Sequence, residues 1–71
     1  MSKIIIDLHG YRHKEAERKV IQTIEDNFRK DVILKFITGN SEKMRNVVEG
    51  VAEDYSLKTS TLVPTEVVLW T

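Results

Sequence analysis

The stretch Ile-Ile-Ile-Asp-Leu-His-Gly, residues 4–10, decides how the fold begins and contains the first candidate site. Three consecutive β-branched residues favour a strand, and the glycine ends it. Side chains alternate across a strand, so Asp7 and His9 lie on one face and Leu8 lies on the other. The sequence therefore brings a carboxylate and an imidazole to one point, where a strand ends and a helix is about to begin.

The rest of the chain alternates between strand and helix patterns. Apolar residues recur with helical spacing over 13–28 and 42–55, and strands are predicted at 3–8, 32–38, 57–62 and 66–70. The large apolar residues of 32–38 are typical of a central strand buried on both faces. The order β-α-β-α-β-β predicts an α/β two-layer sandwich with two helices on a four-stranded mixed sheet. We expect the first two strands to be parallel and the last two to form an antiparallel hairpin.

Length and composition limit the classes of function. Seventy-one residues predict one domain, spanning 1–71. The lack of cysteine excludes disulfides and thiolate zinc sites, and two histidines are too few for an all-protein zinc cage. Eleven basic residues balance eleven acidic ones, so any contact with nucleic acid must come from a local, salt-sensitive patch. No apolar run approaches a membrane span, and we expect a monomeric, cytoplasmic protein with no membrane partner.

Two strand-to-helix loops, residues 9–12 and 38–41, are predicted to meet although about thirty residues separate them. Because both follow parallel strands, they leave the sheet at the same carboxyl edge. Each precedes a helix N-terminus, where unpaired N–H groups favour anions, and each contains a glycine that lets a ligand approach the backbone. The residues expected to contact phosphate in this crevice are Gly10, Arg12, Lys14, Thr38, Gly39, Asn40, Ser41 and Lys43.

The predicted crevice contains a histidine, which suits phosphodiester chemistry. Cleavage requires a proton transfer at oxygen and stabilisation of charge on the non-bridging oxygens. His9 is predicted to be the catalytic acid or base because imidazole titrates near neutral pH, and Asp7 is predicted to orient it or raise its basicity. One carboxylate does not indicate a metal site, and the sequence leaves the cofactor, including a divalent metal, open.

These motifs resemble those of small MutS-related (Smr) domains, and the resemblance covers essentially the whole chain. Residues 6–10, Ile-Asp-Leu-His-Gly, are similar to the family's Leu-Asp-Leu-His-Gly opening, and residues 38–41, Thr-Gly-Asn-Ser, resemble its second motif, Thr/His-Gly-x-Gly. The resemblance implies a fold similar to the C-terminal domain of a bacterial translation initiation factor. It also implies that the chain binds DNA or RNA and acts as a nicking endonuclease, which is a hydrolase of the phosphodiester backbone. By position, Asp7 and His9 would be the catalytic residues, completed by Thr38, Gly39 and Arg45.

Other interpretations stay open beside that one. In the second motif Ser41 replaces a glycine and Asn40 replaces a lysine, which, with the zero net charge, favours a nucleic-acid-binding module without catalysis. A protein-interaction domain that uses the C-terminal hairpin and Trp70 is a third interpretation. In the plainest one, Asp7 caps a turn, His9 bonds to its own loop, and the second loop is an ordinary connection with a serine cap.

Overall fold

Four strands and two helices make up residues 2–71, the part of the chain that the computed structural model describes. In chain order they are β1 (Ser2–Asp7), α1 (His13–Asn27), β2 (Val32–Ile37), α2 (Glu42–Asp54), β3 (Lys58–Ser60) and β4 (Glu66–Trp70). The predicted order and the predicted α/β class, two helices with a four-stranded mixed sheet, are confirmed. β3 is shorter than predicted because only its three residues pair with β4.

The sheet has the strand order β1-β2-β4-β3. β1 and β2 are parallel, as predicted, and β4 is antiparallel to both of its neighbours. β4 therefore lies between β2 and β3, and α2 connects two strands that are not adjacent. This order leaves β1 and β3 as the edge strands. Neither helix in the described chain has the length and apolar content needed to cross a bilayer.

The two helices begin with different caps. Ser41 Oγ accepts a hydrogen bond of 3.1 Å from the Met44 N–H, so the predicted serine cap of α2 is present. α1 begins after Arg12, whose guanidinium has only donors and cannot cap N–H groups. Instead, the Glu15 carboxylate accepts from the Arg12 backbone N–H at 3.0 Å. A carboxylate in the first turn also complements the helix dipole, and it stabilises a helix start that lacks a conventional cap.

One face of the sheet and both helices enclose the hydrophobic core. Side chains that point to this face from the two central strands are fully buried, among them Leu34, Phe36, Val67 and Leu69. Their partners on the helices are Ala16, Val20, Ile24, Met44, Val48, Val51 and Ala52. Fully burying a large aliphatic or aromatic side chain contributes about 1.5–3 kcal/mol, so this one layer of contacts supplies most of the stabilisation.

The prediction that residues 32–38 are buried on both faces is wrong. Burial alternates along β2: Leu34 and Phe36 are buried, whereas Ile33, Lys35 and Ile37 are partly exposed. The physical reason is that both helices pack on the same side of the sheet. We call the other side the open face; it carries the odd-numbered residues of β1 and β2 and the even-numbered residues of β3 and β4. Within residues 2–71, no helix covers it.

Candidate functional site

The two loops predicted to meet do begin side by side at the carboxyl edge of the sheet. Asp7, the last residue of β1, is in register with Ile37, the last residue of β2. The Leu8 N–H then continues the ladder by donating to the Ile37 carbonyl at 2.9 Å. Residues 9–12 and 38–41 therefore leave from adjacent strands, and each loop leads directly into the first turn of a helix. The two loops, which are distant in sequence, therefore start next to each other, as expected from parallel strands.

The first loop is a tight turn anchored by a buried leucine. The Leu8 side chain is fully buried, and its carbonyl accepts from the Tyr11 N–H at 3.1 Å. Gly10, the third residue of this turn, has φ +87°, which is the requirement of a type II turn. A Cβ added at Gly10 would meet no atom within 4 Å, so the glycine serves the backbone conformation rather than close packing. The turn places His9 at its exposed tip.

Asp7 interacts with the backbone of His9. Its Oδ1 accepts from the His9 N–H at 2.8 Å, a side chain-to-backbone bond across two residues that closes a small turn. This is the capping role of the plainest interpretation, and it differs from the expectation that Asp7 orients the imidazole. The carboxylate reaches the nearer donor, because the His9 N–H follows it at the end of the strand. Asp7 therefore positions the residue that carries the imidazole.

The second loop is attached to the residue that precedes β4. The Thr38 and Gly39 N–H groups both donate to the Thr65 carbonyl, at 2.8 and 3.2 Å. Thr38 is buried, and its Oγ1 donates to the Gly39 carbonyl at 3.1 Å. The Gly39 amide, predicted to hold phosphate, is thus directed at a carbonyl of its own protein. Ser41 Oγ is likewise engaged as the cap of α2. Gly39 has φ +65°, a left-handed backbone conformation that glycine adopts without strain.

Basic side chains surround the edge, and they differ in how they are held. Arg12, Lys14 and Lys43 are exposed, as is the polar Asn40. Arg45 is partly buried, and its Nη1 donates to the Pro64 carbonyl at 2.6 Å. Pro64 is the residue before Thr65, whose carbonyl accepts from the Gly39 N–H. Arg45 therefore borders the second loop and connects α2 to the β3–β4 loop. A guanidinium has five donors, so this bond leaves others for a ligand.

Acidic groups moderate the positive charge of the edge. Asp7 is the last residue of β1, and Glu15 and Glu42 lie in the first turns of α1 and α2. Within residues 2–71, no three His, Asp or Glu side chains cluster closely enough to hold a metal ion. The edge can therefore present three exposed cations and two exposed imidazoles, those of His9 and His13, to an anionic ligand, with partial opposition from carboxylates.

The open face is a feature that sequence reasoning missed. The apolar run of residues 32–38 predicts a second buried side of β2 where the structure has this face. One signal was available: Lys35 lies in the middle of the apolar run, and a charged side chain at that position indicates a face without a second layer. In the structure Lys35 Nζ lies 2.8 Å from Glu66 Oε2, an ion pair on the open face between neighbouring strands.

No protein family, curated protein or solved structure was found to match this chain.

Proposed function

We propose that this chain binds nucleic acid through the phosphodiester backbone, at the carboxyl edge of β1 and β2. The observation that supports this proposal most is the convergence of two glycine-containing loops at one edge, each leading into a helix, with exposed Arg12, Lys14 and Lys43 beside them. Helix N-termini and basic side chains together favour phosphate, and no apolar ligand would use this set of groups.

Binding is favoured over cleavage by the hydrogen bonds of the two loops. The Asp7 carboxylate is bonded to a backbone N–H, and the Gly39 amide is bonded to the Thr65 carbonyl. A catalytic site would need the first to orient an imidazole and the second to stabilise developing charge. In this structure both groups contact the backbone of their own chain instead, whereas charge attraction from three exposed cations requires no such arrangement.

Salt dependence tests the binding proposal quantitatively. Three phosphate contacts to a single strand give a slope of log K against log[salt] of about −2. Affinity for a labelled oligonucleotide should then fall roughly twentyfold between 50 and 200 mM salt. Lys43→Ala should make the slope shallower by about 0.7. Lys30→Ala, which removes an exposed lysine just beyond the C-terminal end of α1, is the matched control and should leave it unchanged.

Nicking of DNA or RNA is a second candidate, and the exposed imidazole of His9 is the observation that favours it. In that case His9 would transfer the proton while Arg12 and Lys43 hold the phosphate. The assay is cleavage of supercoiled plasmid and of labelled RNA by wild type, His9→Ala and His13→Ala, where His13 is an exposed neighbour at the start of α1. Loss of cleavage in His9→Ala alone supports this candidate. Equal cleavage by all three proteins contradicts it.

A further inference from the structure

The open face exposes apolar side chains in a continuous surface. Ile5 is 56% exposed and Trp70 is 43% exposed. The β3–β4 loop adds Leu62, which is 93% exposed, and Val63. Leu62, Val63 and Trp70 border a groove of about 310 Å³ that extends over β2 and β4, and Ile5 lies outside it on the edge strand β1. Exposed apolar side chains gathered around a groove and bordered by charged residues are typical of interaction surfaces.

The strand register arranges the charges of the open face in an ordered way. The first row across the sheet is Lys3, Ile33, Trp70 and Lys58. The second row is Ile5, Lys35, Val68 and Ser60. The third row is Asp7, Ile37 and Glu66. The first row therefore carries two lysines and the third row two carboxylates, whereas the second row combines the apolar Ile5 and Val68 with Lys35 and Ser60.

We infer that the open face is the interface of a symmetric dimer of this chain. A two-fold interface must be complementary to itself. With the two-fold axis along the second row, the basic row of each copy lies over the acidic row of the other. Lys3 then faces Asp7 of the partner subunit, and Ile33 faces Ile37 of the partner subunit. On the axis, Ile5, Lys35 and Val68 each face their own equivalents, which places one aliphatic contact on either side of Lys35.

The charges also select this arrangement over the other two-fold arrangement of stacked sheets. An axis parallel to the strands would place Lys3 over Lys58 of the partner subunit, and juxtaposed like charges oppose association. The axis along the second row avoids this contact. Lys35 does approach its equivalent there, but each Lys35 is paired with Glu66 of its own chain at 2.8 Å. The strands of the two sheets should therefore run in opposite directions across the interface.

The size of the molecule sets an upper limit on the area of such an interface. The molecule measures 28 × 23 × 18 Å, so one whole broad side is roughly a sixth to a fifth of its 4799 Å² surface, on the order of 800 Å². A standard interface buries about 800 Å² per partner. A nucleic acid fits this face less well, because base-stacking surfaces use several aromatic rings and the rows carry one, Trp70. The inference is independent of the carboxyl-edge proposal and departs from the expectation of a monomer.

Sedimentation equilibrium of the full chain tests the inference directly. Wild type should change from monomer to dimer between about 10 µM and 1 mM, the range expected of a small interface. Val68→Asp places two carboxylates together on the axis and should weaken self-association on the order of a hundredfold. Because Val68 lies on a central strand, this variant does not alter edge-to-edge pairing of β1 or β3. A thermal melt of the variant verifies that it is folded.

A charge reversal tests the predicted pairing of rows. Lys3→Asp should abolish the dimer, and adding Asp7→Lys to it should restore the dimer, because Lys3 and Asp7 face each other only across the axis along the second row. Lys19→Asp makes the same change on the exposed side of α1 and should have no effect. A chain that stays monomeric at all concentrations, or a dimer that survives both Val68→Asp and Lys3→Asp, overturns the inference. So does oligonucleotide binding that quenches Trp70 fluorescence without any self-association.

Discussion

Replacement of Gly10 by alanine tests whether the first loop has the conformation that places His9. At φ +87° an alanine is strained by about 1–2 kcal/mol, as L-residues are in left-handed conformations. No steric clash adds to this, because the new Cβ would meet nothing within 4 Å. Alanine also restricts the unfolded chain more than glycine does, and this offsets about 0.4–1 kcal/mol of the strain. The expected net loss in the free energy of unfolding is therefore about 1 kcal/mol, and a domain of this size should lose about 4–8 °C in Tm.

Gly50 provides the matched control. It lies inside α2, is exposed, and also has open space around a new Cβ. Alanine is the better helix former there by about 1 kcal/mol, so Gly50→Ala should raise Tm by a similar amount. The two variants make the same chemical change with opposite signs, measured by thermal and urea unfolding. If Gly10→Ala is as stabilising as Gly50→Ala, the turn does not hold residue 10 at positive φ and the described geometry of the loop is wrong.

Three further predictions concern the contacts around the same framework. Arg45→Met removes the hydrogen bond to the Pro64 carbonyl and should lower the free energy of unfolding by about 1 kcal/mol in urea titrations; no change would mean that the bond is absent in solution. Ser41→Ala should destabilise by about 1 kcal/mol through loss of the α2 cap, whereas Ser41→Asp should restore stability, and failure of that rescue would contradict the capping role. The hydrogen bond that Tyr55 donates to Glu25 is the largest cause of a raised phenol pKa; desolvation and the charges of Glu25 and Asp54 raise this pKa by smaller amounts. Folding therefore favours the protonated phenol. The stability that Tyr55 contributes over Tyr55→Phe should be fully present below about pH 10 and disappear as pH rises further; a difference that persists in strong alkali would contradict this.

Local signals in the sequence identified the elements well. Ser41 caps α2 as predicted, since a serine hydroxyl before a helical repeat has one favourable partner nearby. β4 has the predicted bounds, because Pro64 and the alternating residues after it mark a strand start without reference to the rest of the fold. The parallel pairing of β1 and β2 also followed from local order, since a helix between two strands favours a crossover.

Contacts between distant residues were not predictable in the same way. The Thr65 carbonyl that occupies the Gly39 amide comes from 26 residues further along the chain, and only the position of β4 beside β2 brings it there. The partner of the Asp7 carboxylate, a backbone N–H rather than the imidazole, depends on turn geometry that the residue types do not specify. Ile33 and Ile37 are partly exposed because both helices pack on the opposite face of the sheet. The apolar composition of β2 alone does not reveal on which face the helices pack.

The most direct test of the proposed function is a chemical-shift titration of the full chain with short single-stranded DNA and RNA at low salt. We expect shifts at the amides of His9, Gly10, Asn40 and Lys43, and a binding constant that falls with salt with a slope of about −2 in log–log form. The open-face residue Val68 should stay unperturbed by nucleic acid. Absence of any shift at low salt, or shifts confined to residues away from both loops, would contradict binding at the carboxyl edge.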